Sequence, residues 1–391
     1  MHWKGIRILM IVLAFALVAA ACGSSDSETT TAPDETAAPA ETAAPDAPTT
    51  EAPADAGATD NAGKSVVVLM PPGTDTYLAE WQRGAREQGE ALGFEVTIVE
   101  NNFDQAEQDL QVQQALSAAE LPDMFVWWPV DNAAGVASLK ALHDSGVPVM
   151  QVNQLPVPEA DGFWDLYAGV DDVLNGQVSG ELLIEVRDQL VADGLELNSE
   201  GGNVLVVMFP AGYSAGADRL IGFNEAIAGA GMTIIDQLEI GFDETSGYEA
   251  GLSLIPANRD KGIDLVYAEN DALASGMILA LEEAGFTPGV DVGVVGGTCH
   301  GNLSDLEEAQ QFATGLQSAR LEGVQAMLTA DLYFTDPTIS EGEYRGEADP
   351  DNIPQQDQLF TYNFIPNPAV YAEDIDSTNL WGFTMRELCT Y

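Results

Sequence analysis

Apolar runs rich in β-branched residues alternate with amphipathic helical segments along most of the chain, and this alternation restricts the fold more than any other feature. One series begins with the strand pattern at residues 65–70 and a second begins at residues 203–209. Apolar strands separated by helices are typical of parallel sheets that are covered on both faces. The sequence therefore predicts an α/β fold with two doubly wound parallel-sheet lobes.

The segments that follow the predicted strands are rich in aromatic, amide and hydroxyl side chains and poor in Lys and Arg. In open α/β sheets, ligands bind beyond the carboxyl ends of the strands. Aromatic rings stack on the apolar faces of a ligand, while amides and hydroxyls form hydrogen bonds with its hydroxyl groups. A phosphate ligand would need Arg, Lys or a glycine-rich nest. The loops therefore predict a neutral, polyhydroxylated ligand.

The chain is strongly acidic, with a formal net charge of −50 and only 13 Lys and Arg among 391 residues. Such a surface repels phosphate backbones, so we expect no nucleic-acid partner. Three Cys and three His without a CxxC pair do not build a conventional zinc cluster. We expect no metal site and no cofactor.

The amino terminus has the pattern of an export signal. Lys4 and Arg7 precede an apolar run over residues 8–21, which is short for a membrane-spanning helix. Cys22 directly after small residues resembles a bacterial lipoprotein signal, which implies lipidation of Cys22 and anchoring to the cell membrane by lipid alone. Ordinary secretion with a chance cysteine is the alternative. Residues 23–63 are rich in Ala, Thr and Pro with acidic residues, and this composition predicts a disordered tether.

Six short motifs occur in a fixed order in the predicted folded part of the chain. They are 83–85 (RGA), 129–131 (PVD), 146–149 (GVPV), 171–176 (DDVLNG), 219–223 (RLIGF) and 267–271 (YAEND). In this order and spacing they resemble the type I periplasmic sugar-binding proteins, the ribose-binding-like solute receptors of ABC transporters. The resemblance covers about residues 65–365.

The resemblance implies a monomeric extracytoplasmic protein whose two lobes are joined by a three-crossover hinge and close around a sugar or polyol. It implies delivery of that ligand to an ABC transporter permease. The implied domains are a signal peptide at 1–22, a tether at 23–63, a first lobe at 65–170 plus 319–362, and a second lobe at 171–318 plus 363–391.

The resemblance also implies ligand contacts at particular positions. Tyr77 and Phe242 match aromatic residues that sandwich the sugar ring from opposite lobes. Asp75 falls where an Asn binds hydroxyl groups. Asn270 and Gln317 match polar residues that contact the ligand.

The chain departs from the family pattern at several ligand positions. Asn153-Gln154 stands where an Asp-Arg pair is usual, Ala217 where an Arg is expected, and Thr298 where an Asp is expected. Trp128 replaces a small polar residue. Charge-assisted hydrogen bonds are the strong ones, so their loss argues against ribose and favours a larger, less polar or modified ligand. We include Asn153, Gln154, Thr298 and Trp128 in the expected binding site.

Two questions stay open at the level of sequence. Arg219 matches a helix position that is either structural or ligand-binding. Cys299 and Cys389 are either a disulfide of an exported protein or two separate thiols, because the sequence does not give their separation.

Other functions are compatible with parts of the sequence. Residues 212–216 match G-x-S-x-G, and Asp271 and His300 follow Ser214 in the order of a hydrolase triad. The family pattern explains the same Gly and Ser residues as a ligand loop, so we favour a binding protein over an enzyme. A sensory receptor that signals to a membrane histidine kinase is a further alternative. The export signal and the lack of a basic helix-turn-helix exclude a transcription regulator.

Overall fold

The computed structural model describes residues 60–74 and 76–389. The predicted signal peptide, Cys22, most of the predicted tether and Asp75 lie outside the described residues. Within the described part, no helix has both the length and the apolar character needed to cross a membrane.

The strands and helices alternate from the start of the described chain to about residue 335. The strands are β1 (Ser65–Met70), β2 (Glu95–Glu100), β3 (Met124–Trp127), β4 (Val149–Val152), β5 (Leu166–Gly169), β6 (Asn203–Met208), β7 (Thr233–Glu239), β8 (Leu265–Ala268), β9 (Gly293–Val295), β10 (Ala313–Gly315), β11 (Ile339–Arg345), β12 (Leu359–Phe364), β13 (Ala369–Tyr371), β14 (Asn379–Leu380) and β15 (Phe383–Thr384). The α-helices are α1 (Thr76–Leu92), α2 (Gln105–Leu116), α3 (Val136–Asp144), α4 (Asp172–Ala192), α5 (Ser214–Ile227), α6 (Glu244–Asn258), α7 (Asp271–Glu283), α8 (Leu303–Glu307), α9 (Ala319–Thr335) and α10 (Met385–Leu388).

The first lobe is built on a seven-stranded sheet with the order β11-β12-β5-β4-β3-β1-β2. All of its neighbouring strands are parallel. Val68 on one face packs in a cluster with Trp81 of α1 and Met327 of α9. Leu69 on the other face packs in a cluster with Leu139 of α3. Because both faces are buried there, the central strands β1 and β3 are apolar runs rather than alternating patterns.

The second lobe is built on a six-stranded sheet with the order β13-β10-β9-β8-β6-β7. Its strands are parallel except β13, which runs antiparallel to β10. On one face, Tyr267 stacks on Phe223 of α5 with ring centroids 4.3 Å apart. On the other face, Val266 packs in a cluster with Met277 of α7 and Leu254 of α6. The predicted fold of two doubly wound lobes is confirmed.

Three chain crossings join the lobes, after β5, between β10 and α9, and between β12 and β13. The crossings are hydrogen-bonded to one another. The Ile365 amide donates to the Gly169 carbonyl at 2.9 Å, and the Leu316 amide donates to the Pro368 carbonyl at 2.7 Å. This is the three-crossover hinge that the family resemblance implies.

The last described segment, residues 374–389, packs beside the hinge. A disulfide joins Cys389 to Cys299 in the loop after β9, with the two Cα atoms 4.9 Å apart. The buried Trp381 donates its amide to the Asp349 carbonyl at 2.7 Å and its indole N–H to the Glu347 carbonyl at 3.1 Å. The segment therefore connects a loop of the second lobe with the connection between β11 and β12.

Candidate functional site

A cavity lies between the lobes at the carboxyl ends of their parallel strands. The first lobe lines it with Tyr77, Leu78, Phe103, Trp128 and Asn153, and the second with Phe209, Tyr213, Arg219, Phe242, Asn270, Thr298 and His300, while Gln317 comes from the crossing after β10. The cavity volume is about 50 Å³. Successive strands of both sheets deliver these side chains to one place, as open parallel sheets do at their ligand sites.

Aromatic rings from the first lobe form one wall of the cavity. Trp128, at the end of β3, is buried and meets Tyr77 edge to face with centroids 6.4 Å apart. Trp81 packs behind Trp128 at 5.6 Å. His300, from the second lobe, lies 5.1 Å from the Tyr77 ring. Tyr77 is thereby placed at the meeting point of both lobes.

Three rings of the second lobe form the opposite wall. Phe242 lies 5.0 Å from both Phe209 and Tyr213, measured between ring centroids. The Arg219 guanidinium lies 4.8 Å from the centre of the Phe209 ring. Phe209 and Tyr213 follow β6, and Phe242 follows β7. The ends of these neighbouring strands bring the rings together although Phe209 and Phe242 are far apart in the sequence.

Hydrogen bonds cross the cleft between the two walls. The Tyr213 hydroxyl donates to Asn153 Oδ1 at 2.5 Å and accepts from Trp128 Nε1 at 3.1 Å. The lobes are therefore in direct contact around the cavity in this conformation.

Gln154 makes a second bridge between the lobes instead of lining the cavity. Its Oε1 accepts from the Ser214 amide at 2.8 Å, and its Nε2 donates to the Pro129 carbonyl at 2.6 Å. The Ser214 hydroxyl also accepts from Asn132 Nδ2 at 2.8 Å. Gln154 is completely buried, so its amide serves contact between lobes and sits beside the predicted site rather than in its wall.

Arg219 organises the polar part of the second-lobe wall. Its Nε donates to Asp172 at 2.9 Å, and its two terminal nitrogens donate to the Glu269 carbonyl at 2.5 Å and to Gln317 Oε1 at 2.6 Å. Burial raises the pKa of Asp172, and Arg219 opposes that shift. Burial lowers the pKa of Arg219, but the surrounding acidic groups outweigh it and hold the pKa above its ordinary value. Arg219 is thus both a cavity residue and the partner that orients Gln317.

Glu322, in the first turn of α9, supports the first-lobe wall from behind. It accepts hydrogen bonds from the Tyr77 hydroxyl at 3.0 Å and from Asn153 Nδ2 at 3.3 Å. Burial raises the pKa of Glu322 to about 8. The carboxyl group therefore holds its proton at neutral pH. A Cβ atom at Gly169 would lie 2.8 Å from Glu322 Oε1, so this hinge position has no room for a side chain.

Asn270 and Thr298 stabilise the loops on which they lie. Asn270 caps α7 by accepting from the Leu273 amide at 2.7 Å and donates to the Phe242 carbonyl at 2.8 Å. Thr298 Oγ1 accepts from the Asp271 amide at 3.4 Å. Asn270 thereby fixes the loop that presents the Phe242 ring.

The structure brings most of the predicted site residues into one cavity. Those that line it are Tyr77, Trp128, Asn153, Phe242, Asn270, Thr298 and Gln317. Phe103, Phe209, Tyr213 and His300 also line it and were absent from the predicted set, and Arg219 was left open. A signal for Phe103, Phe209, Tyr213 and His300 is present, because each lies between a strand end and the next helix, whereas Arg219 lies inside α5.

The comparisons with known proteins agree with this geometry. Residues 66–336 match the family model described as periplasmic binding protein domain. The chain belongs to this family. The family match confirms the resemblance inferred from the sequence motifs.

Two relatives from Escherichia coli (strain K12) illustrate the similarity. The ribose import binding protein RbsB is 25% identical over 280 residues, which cover 71% of this chain and 86% of the relative. The galactofuranose-binding protein YtfQ is 29% identical over 211 residues, which cover 53% of this chain and 62% of the relative.

Solved structures show the same fold. A galactofuranose binding protein superposes with a TM-score of 0.65 at 21% identity, covering 84% of this chain and 97% of that protein. The Caulobacter myo-inositol binding protein bound to myo-inositol superposes with a TM-score of 0.64 at 17% identity, covering 79% and 94%. At these identities the superpositions establish the architecture alone.

Proposed function

We propose that this protein is an extracytoplasmic solute-binding lipoprotein that captures a neutral sugar or related polyol between its lobes and delivers it to an ABC transporter. The observation that supports this proposal most directly is the cavity at the carboxyl ends of the strands of both sheets, where aromatic rings and amides from opposite lobes converge. Membership of the periplasmic binding protein family and the ribose, galactofuranose and myo-inositol binders among similar proteins support the proposal.

Aromatic rings and amide groups of the cavity recognise different parts of the ligand. Tyr77 and Phe242 offer apolar surfaces from opposite lobes, against which the C–H faces of a sugar ring pack. Asn153, Asn270 and Gln317 offer amide groups at the same cavity, which exchange hydrogen bonds with ring hydroxyls. The amides carry no charge, in keeping with a neutral ligand.

Entry of a ligand requires movement of the lobes. A cavity of about 150 Å³ holds benzene, whereas the space here is about 50 Å³. The bonds from Tyr213 to Asn153 and from Ser214 to Gln154 cross the cleft and must break when it opens. Bending at the three crossings separates the lobes, admits the ligand and closes again around it.

The contacts of Ser214 favour binding over hydrolysis. Its hydroxyl lies between the side chains of Asn132 and Gln154, which are amides and not bases. Asp271 accepts from the His300 backbone amide at 3.0 Å and from Thr314 Oγ1 at 3.0 Å. A triad would instead need a histidine ring to accept the serine proton. We therefore infer that the ligand leaves the cleft chemically unchanged. Wild type and the Ser214→Ala variant should show the same esterase activity, at the background level.

A thermal-shift screen against monosaccharides, polyols and nucleosides, followed by calorimetry, tests the proposal. Phe242→Ala should weaken binding of the selected ligand about tenfold, because one stacked ring contributes on the order of 1 kcal/mol or more. Phe312→Ala removes a ring of the same size that packs on Tyr371 outside the cavity, so its affinity should stay at the wild-type value. Equal affinities of the Phe242→Ala variant and wild type would contradict the assignment of this cavity as the ligand site.

The lipid anchor has its own test. Cys22→Ser should release the protein from membranes into the soluble extracytoplasmic fraction, because the modified thiol is lost. Retention of the variant on membranes would contradict anchoring through Cys22.

A further inference from the structure

A pair of stacked aromatic rings lies where the cavity adjoins an outer groove. Phe103 of the first lobe and Phe242 of the second lie with ring centroids 5.7 Å apart and planes inclined by 25°. Phe103 is 40% exposed, so it contributes little to the core of its own lobe. Its main ring contact is with the opposite lobe.

The backbone holds Phe103 in an unfavourable conformation. Its φ is 56°, in the left-handed region that costs a residue with a side chain about 1 to 2 kcal/mol. Asn101 fixes this turn, since its Oδ1 accepts from the Phe103 amide at 2.9 Å and its Nδ2 donates to the Met70 carbonyl at 2.9 Å. A strained residue that is held firmly and points an exposed ring at a binding site is a candidate for function.

The aromatic pair separates two spaces. On one side is the cavity of about 50 Å³, and on the other is an outer groove of about 740 Å³. Phe103, Tyr213 and Phe242 border both, and Asp131 and Asp243 lie on the outer side. A substituent that reaches from the cavity towards the groove therefore meets both rings.

The polar groups of the cavity are largely engaged within the protein. Asn153 bonds to Tyr213 and Glu322, Gln317 bonds to Arg219, and Asn270 bonds to its own helix and loop. A buried ligand hydroxyl that lacks a partner costs about 1 to 3 kcal/mol. Six of the thirteen residues that line the cavity are Phe, Tyr or Trp and three are amides, so the cavity offers more ring surface than hydrogen-bonding capacity even when the bond from Tyr213 to Asn153 breaks.

We propose that the ligand is a sugar or cyclitol that carries an apolar ring substituent, and that this substituent packs against the Phe103 and Phe242 rings where the cavity meets the outer groove. Phe103 is thus a specificity-determining residue. The inference rests on the proposed function, because it names the class of ligand that the same cavity selects.

Calorimetry with matched ligand pairs tests the inference. The pairs are D-galactose with D-fucose, myo-inositol with its mono-O-methyl ether, and D-glucose with methyl β-D-glucoside. We expect the member with the apolar substituent to bind about tenfold or more tightly in at least one pair, as one buried methyl group in an apolar pocket allows. Equal or weaker binding of that member in every pair that binds overturns the inference and leaves the proposed function intact. If neither member of any pair binds, the inference fails, and the thermal-shift screen decides separately whether the proposed function stands.

Two variants separate the role of the ring from that of the fold. Phe103→Asn removes the ring while Asn accepts the left-handed conformation well, so the variant should fold with unchanged or higher stability. It should reduce the preference within the pair to about threefold or less, because the ring that contacts the substituent is gone. Phe103→Tyr keeps the ring and should keep the preference. A stable Phe103→Asn variant with the wild-type preference would also overturn the inference.

Discussion

The two walls of the cleft differ in how their polar groups are held. On the second-lobe side, a buried ion pair between Arg219 and Asp172 fixes Gln317 and the loop after β8. On the first-lobe side, Tyr77 and Asn153 rest on the single carboxyl group of Glu322. One wall depends on charge, and the other on a carboxyl group that holds its proton at neutral pH.

The difference has a physical consequence for the two walls. Removing one member of a buried ion pair leaves an uncompensated charge, whereas removing a neutral hydrogen bond costs far less. The second-lobe wall should therefore be the more rigid and the more sensitive to substitution. The first-lobe wall should respond to pH through Glu322, and the second-lobe wall through Asp172 and Glu269, because burial raises their pKa values to about 7 and about 8.

The largest effect is expected from Arg219→Leu. The substitution leaves Asp172 buried without its cation and frees Gln317, so it should lower the free energy of unfolding by about 3 to 5 kcal/mol. Chemical denaturation measures this loss. Arg345→Leu is the matched control, because Arg345 pairs with Asp171 at 2.7 Å but is 44% exposed, and such a pair contributes about 1 kcal/mol or less. Similar losses in the two variants would contradict the contrast between the walls.

The disulfide should have the next largest effect. Cys299 lies between Thr298 and His300 of the second-lobe wall, and its bond to Cys389 closes a loop with a sequence separation of 90. Replacing both cysteines by Ser should lower the free energy of unfolding by about 2 to 4 kcal/mol. Reducing agent should destabilise the wild type and leave the double variant unchanged. A double variant as stable as the oxidised wild type would mean that the carboxyl-terminal segment adds nothing to this wall.

The sequence was sufficient for the buried central strands but not for every strand or for all of the site. Strand β1 has the predicted bounds and β6 ends one residue before its predicted end, because uninterrupted apolar runs mark strands that are buried on both faces. Strand β11 was missed because an edge strand with the sequence ISEGEYR has no apolar run. The sequence pattern over residues 303–311 predicts one helix, but α8 ends at Glu307, because Ala309 has a φ of 58°, which no helix can include.

Within the site, the sequence was enough to predict which loops carry site residues, but not which side chains contact one another in the folded protein. Tyr77, Trp128, Asn153 and Phe242 could be predicted because each follows a strand, and parallel strands end at one edge of the sheet. Glu322 could not, since a polar residue in the first turn of a helix reads as solvent-exposed until the hinge packs over it. The αL conformation of Phe103 likewise depends on the side chain of Asn101 and not on any local propensity of Phe.

The smallest effect is the pH dependence of stability that Glu322 contributes. It is also the sharpest test of the first-lobe wall. Burial raises its pKa in the folded protein to about 8, above the ordinary value of 4.5 that applies to the unfolded chain. The folded state therefore holds this proton over a pH range in which the unfolded state has released it. The stabilisation is complete below pH 4.5 and is lost as the pH rises towards 8.

Between pH 6 and pH 8, this single group should lower the free energy of unfolding of the wild type by about 2 kcal/mol. Glu322→Gln keeps an uncharged side chain that accepts from Tyr77, so its stability should change less over the same interval. Denaturation at several pH values measures the difference. Glu90→Gln, at an exposed position of α1, should follow the wild type. Parallel pH profiles of wild type and Glu322→Gln would show that the carboxyl group ionises without cost, and the two walls would then not differ in the way their polar groups are held.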